Sequence, residues 1–230
     1  LVSCAMDLQS LVFAPTNDLP YATFLPGLAN VAQYHGKLKG ALGASSQAAR
    51  EAAQAFVEED YLRALHAGAR LSNSERKRIA KRLAELTGLP TTVVEEQNLR
   101  ISDFFFFFEL LRDQGKQVGR LDARATGPMA AQRGREFEFD PGIEAISAPY
   151  GMATLAYFGE TLGLTEPQRY ELLNIDTHKA WNWNRGESRG NSYCSTSPDL
   201  SRALRRNTHL RVFAASGRYD LGTPYSASDW

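Results

Sequence analysis

Residues 186–190 read Gly186-Glu187-Ser188-Arg189-Gly190, a match to G-x-S-x-G, the sharp turn that lifts a serine hydroxyl to the rim of a sheet as a nucleophile. The surroundings argue against that use. Such an elbow needs a buried strand before the serine and a helix after it. Here Trp181-Asn182-Trp183-Asn184-Arg185 precedes it and polar Asn191-Ser192-Tyr193 follows. Ser188 is therefore expected in a solvated loop, with Trp181 and Trp183 the better-buried residues beside it.

Asp220 is the second candidate. It follows a compact apolar run, residues 210–215, across Ser216-Gly217-Arg218-Tyr219. A carboxylate just past the carboxyl end of a parallel strand is where α/β enzymes place catalytic groups. The competing reading, which position alone favours, is a turn aspartate bonding the backbone of Leu221-Gly222.

The histidines are His35, His66, His178 and His209, and no two have metal-ligand spacing, so neither a metal nor a cofactor is expected. His209 abuts the apolar run and reads as structural. No histidine follows Asp220, so the order Ser, Asp, His of an α/β-hydrolase cannot come from these residues alone. A self-contained triad of Ser188, His209 and Asp220 in another order is a rival. Cys4 and Cys194 lack metal spacing, and whether they pair stays open.

The elements that must position these groups follow from pattern. Residues 1–6 form a short apolar run suited to the end of a buried strand. Pro26 suits the start of a helix to about residue 38. Residues 45–69 are Ala-rich and helical, with Phe56, Tyr61, Leu62 and Leu65 as core candidates. Ser72 with Glu75 forms a capping box; the helix it opens carries Ile79, Leu83 and Leu86 on one face and ends at Gly88. Pro90 begins another short helix, and Ser102 caps one over 103–112. Five consecutive phenylalanines, 104–108, would cover every face of that helix, as core, as interface or as an apolar wall for substrate. Residues 118–126 and 136–140 look extended, and 150–162 and 166–173 helical. Ser197-Pro198-Asp199 opens a helix before 210–215, which reads as a strand buried in a parallel sheet.

The layout predicts an α/β fold with a large, mainly helical cap insertion. Residues 1–40 would hold a core strand with its following loop and helix, 41–180 the cap, and 181–230 the return to the core.

Composition bounds the function. The 230 residues carry 26 Lys+Arg against 26 Asp+Glu, which argues against nucleic acid or an anionic membrane as the main partner. At 43% hydrophobic and 23% charged, the chain is of globular type. No run is long enough to span a bilayer. The chain opens on Leu1 without a signal peptide and reads as an excerpt, so any targeting signal is expected outside it.

The segment Ser216-Gly217-Arg218-Tyr219-Asp220-Leu221-Gly222-Thr223-Pro224 resembles the triad-aspartate segment of the serine carboxypeptidase family, in its bacterial branch. Further motifs are similar to the same branch in the same order: Asn17-Asp18-Leu19-Pro20-Tyr21, Phe24-Leu25-Pro26, Tyr34-His35-Gly36-Lys37-Leu38, Leu86-Thr87-Gly88-Leu89, Asn98-Leu99-Arg100-Ile101, Leu110-Leu111-Arg112-Asp113 and Val118-Gly119-Arg120-Leu121-Asp122-Ala123-Arg124. The phenylalanine run departs from the family, which is more mixed there. The resemblance implies that the chain is part of an α/β-hydrolase sheet with a large, mainly helical cap insertion. It implies that the chain serves removal of C-terminal residues from peptides by an acyl-enzyme route, with Asp220 orienting the catalytic histidine. It places the family's G-E-S-Y-G nucleophile before Leu1 and its histidine after Trp230, so this stretch alone would be inactive. It implies a peptide substrate, the remainder of the parent chain as partner, and a periplasmic or secreted location. The rival from another class is a non-catalytic helical interaction module of hydrolase ancestry.

Overall fold

The computed structural model describes residues 1–129, 138–164, 170–171, 173–182 and 193–229. The fold is mostly helical, and its paired strands, among the described residues, form one short antiparallel hairpin. This overturns the expected α/β-hydrolase sheet. Residues 1–6 and 210–215 do not form sheet strands; they meet at a single parallel bridge, Val2 with Ala215. A buried parallel strand needs lateral partners and cover on both faces. Here Val2 is 77% exposed and Phe213 78%, so the apolar pattern of these runs is not matched by burial.

The core is built on α1 (Leu19–Tyr34). Pro20 sits in its first turn, where a missing amide costs nothing. The helix begins earlier than the sequence suggests and carries Pro26 inside it. An interior proline weakens a helix, but Phe24, Leu25, Leu28 and Val31 are essentially fully buried, and that burial holds the element. Around α1 lie α2 (Gly40–Ala44), α3 (Ser46–Phe56), α4 (Leu62–Ala67), α5 (Asn73–Thr87), α6 (Thr91–Glu96) and α7 (Asp103–Glu109). A single π-type turn, Val57–Tyr61, joins α3 to α4. The capping box of α5 forms as predicted: the Glu75 amide donates to Ser72 Oγ and the Ser72 amide to the Glu75 carboxylate. Ile79, Leu83 and Leu86 are buried, and Gly88 ends the helix in the left-handed region at φ 70°.

Ser102 caps α7 through the Phe105 amide. Phe105 to Phe108 are buried and Phe104 is 44% exposed, so the run is chiefly core. After α7 come β1 (Lys116–Val118) and β2 (Thr126–Pro128), paired with Lys116 opposite Pro128. Then follow α8 (Pro141–Ala156), α9 (Ile175–Ala180), α10 (Ser197–Arg206) and α11 (Tyr225–Asp229). One buried cluster runs from Ala22 through Val118 and Ala123 to Leu221 and so draws on all three stretches of chain. By contrast α8, α9 and α10 are largely exposed: Tyr150, Met152, Leu155 and Ile175 all face outward.

Candidate functional site

Asp220 lies in a turn that two neighbours hold. On one side is α1: Leu221 is fully buried, its side chain reaching the surface of α1 at Gly27, and Asn30 Nδ2 donates to the Arg218 carbonyl at 3.0 Å. On the other side is the loop between β1 and β2. The Leu221 amide donates to the Arg120 carbonyl at 2.9 Å, and the Ala123 amide donates to the Tyr219 carbonyl at 2.9 Å. These two bonds bracket Asp220.

Asp220 is 9% exposed. Its Oδ1 accepts from the amides of Gly222 at 2.8 Å and Thr223 at 3.0 Å; Oδ2 accepts from the Thr223 hydroxyl at 2.9 Å. A carboxylate with three donors is held in one orientation. The turn role weighed from sequence is present in the Gly222 contact. The strand expected to carry Asp220 is not formed; the loop beside β1 and the packing on α1 position it instead.

The same loop collects a small aromatic and charged group. His35 Nε2–H donates to the Ala123 carbonyl at 2.7 Å. Burial lowers the His35 pKa; the bond to Ala123 opposes this, and Lys37 and Lys116 push it further down. Tyr34 meets Tyr219 edge-on at 5.5 Å between centroids, and the Arg124 guanidinium lies 4.8 Å from the centre of the Tyr219 ring. Arg124 also pairs with Asp122 at 2.7 Å, and this lowers the Asp122 pKa.

Of the other sequence candidates, Ser188 and the whole of 186–190 fall outside the described residues, as does Trp183. Trp181 is 60% exposed, contrary to expectation. The helix just before it, α9, has no buried residue. His209 is exposed and follows α10. Cys4 and Cys194 are both free thiols. Among the described residues no three His, Cys, Asp or Glu side chains gather into a metal-binding group. Nor is any described helix long and apolar enough to cross a membrane.

Sequence reasoning missed Asp140. Its Oδ1 accepts from the Arg120 amide at 3.0 Å and from the Gly142 amide at 2.8 Å. The signal was present in Asp140-Pro141-Gly142, an N-cap residue followed by proline at the first helical position. Reading 136–140 as extended and the next helix from Tyr150 obscured it. Compared with protein-family models, with curated proteins and with solved structures, the chain matches none.

Proposed function

We propose that this chain is a section of a serine carboxypeptidase-like hydrolase that removes C-terminal residues from peptides by an acyl-enzyme mechanism. The observation that carries the reading is the Asp220 carboxylate. It is nearly buried, and two backbone amides and one hydroxyl fix it within the segment that resembles the family's triad-aspartate motif. With Oδ1 saturated by amides, Oδ2 keeps acceptor capacity for an imidazole N–H. An aspartate held in this way sets the histidine tautomer and stabilises the imidazolium formed when the serine gives up its proton. On this reading the serine nucleophile and the histidine come from the parent polypeptide outside residues 1–230, and the parent is exported, to the periplasm or beyond.

The helical architecture favours a second reading, a non-catalytic interaction module of hydrolase ancestry. The outward apolar residues of α8 support it. One experiment separates the two. The parent polypeptide is assayed on a blocked dipeptide, with a serine-directed phosphonate as inhibitor, beside its Asp220→Asn variant. The enzyme reading expects phosphonate-sensitive turnover and a fall in kcat of about 10⁴ in the variant with folding preserved. Phosphonate-insensitive background in both proteins favours the module.

A further inference from the structure

We infer that Asp140 is a positioning residue for Asp220, acting through the backbone of residues 119–123. The inference rests on the carboxypeptidase-like reading of Asp220. The path is continuous. Asp140 Oδ1 accepts the Arg120 amide at 3.0 Å. The carbonyl of Arg120 accepts the Leu221 amide at 2.9 Å. The next amide, that of Gly222, donates to Asp220 Oδ1 at 2.8 Å. The two peptide groups flanking Arg120 thus serve different partners, one the Asp140 carboxylate and the other the Leu221 amide.

Capping α8 accounts for only half of what Asp140 does. The Gly142 amide satisfies the cap at 2.8 Å. The Arg120 bond ties the helix start to a loop 20 residues earlier in the chain. The site is also closely packed. Asp140 is 8% exposed, and its Oδ2 is buried and accepts no hydrogen bond from the protein. Burying an unpaired carboxylate oxygen is unfavourable, and a serine would cap the helix without it. What the longer carboxylate adds is reach to the Arg120 amide. The neighbouring glycines match this close approach: a Cβ on Gly119 would lie 2.7 Å from Gly142 N, and one on Gly142 would lie 3.2 Å from Asp140 Oδ1. The result is one clamp in which the start of α8, the 119–123 loop and the Asp220 turn are fixed relative to one another.

The test compares Asp140→Ser, Asp140→Asn and the remote cap variant Ser72→Ala. Serine keeps a cap for α8 but is one bond short of the Arg120 amide. Asparagine keeps the reach. Backbone amide exchange is measured in the 230-residue chain. The clamp predicts exchange at Leu221 faster by about tenfold in Asp140→Ser, within about threefold of the unsubstituted chain in Asp140→Asn, and unchanged in Ser72→Ala. In the parent polypeptide, Asp140→Ser is expected to lower kcat by about tenfold with KM within about twofold, since misplacement of a catalytic group affects the chemical step. Unchanged Leu221 protection in Asp140→Ser overturns the inference and leaves Asp140 a helix cap. If instead Asp220→Asn leaves turnover intact, the carboxypeptidase-like reading fails, and the exchange data still decide whether the clamp exists.

Discussion

Tyr61 and Leu99 are joined by a hydrogen bond in which the Tyr61 hydroxyl donates to the Leu99 carbonyl at 2.6 Å, both residues being almost wholly buried. Leu99 has φ 65° and Asn98 before it has φ 51°, a left-handed pair that non-glycine residues seldom adopt. The turn persists because its surroundings hold it: the Leu99 amide donates to Val94 O at 3.0 Å, and Arg100 clasps Asp18 through two bonds of 2.8 Å. Burial raises the Tyr61 pKa and so favours the protonated phenol, the form that donates.

Tyr61→Phe leaves the ring in place and strands the Leu99 carbonyl without its donor. The expected loss is about 1–3 kcal/mol of stability, the range for an unsatisfied buried acceptor. Denaturant melts of the two proteins give the difference directly. A change within experimental error shows that the carbonyl finds another partner.

Asp103, at the first position of α7, has its pKa raised from 3.8 to about 6. Burial is the main cause; the Phe104 amide, 2.6 Å from Oδ1, and the Arg120 charge oppose it. The folded state therefore holds this proton more tightly than the unfolded chain does. Its contribution to stability is greatest below pH 3.8, falls as the pH rises toward 6, and stays low above that. Asp103→Asn is expected to stabilise the protein at pH 7 by about 1–2 kcal/mol, an amount discounted for the partial exposure of the side chain, with the gain vanishing near pH 4. Unfolding curves at pH 4 and pH 7 check both sign and window. An equal effect at the two values would remove the desolvation argument.

Local signals were legible where one short motif decides the structure. Ser72 with Glu75, Gly88, Ser102 and Pro198 mark helix ends through contacts a few residues away, and each lies at such a boundary. The strands at 1–6 and 210–215 were misread because an apolar run shows that a segment suits burial without naming what buries it. Their single bridge joins residues 213 apart, Val2 and Ala215. The site was legible in one residue. Asp220 stood out by its motif, but the loop that holds it was not, because Arg120 contributes only its backbone there. Main-chain contacts leave little trace in side-chain identity.

Gly119 offers the sharpest test of how that loop is held. A Cβ at this position would lie 2.7 Å from the Asp122 carbonyl oxygen and 2.7 Å from the Gly142 amide nitrogen. Both obstacles are backbone, one in the loop itself and one in the first turn of α8, so neither can swing aside as a side chain would. Gly119→Ala must therefore push the loop from α8, stretch the bond from the Arg120 amide to Asp140, and carry the Arg120 carbonyl away from Leu221. The comparison is Gly115→Ala, four residues earlier. There φ is 65° and a Cβ meets nothing within 4 Å. That variant bears only the left-handed strain of about 1–2 kcal/mol. Gly119→Ala is expected to cost about 1–3 kcal/mol from overpacking and, unlike Gly115→Ala, to speed amide exchange at Leu221. Equal exchange at Leu221 in the two variants would mean that the loop yields locally and the Asp220 turn does not depend on it.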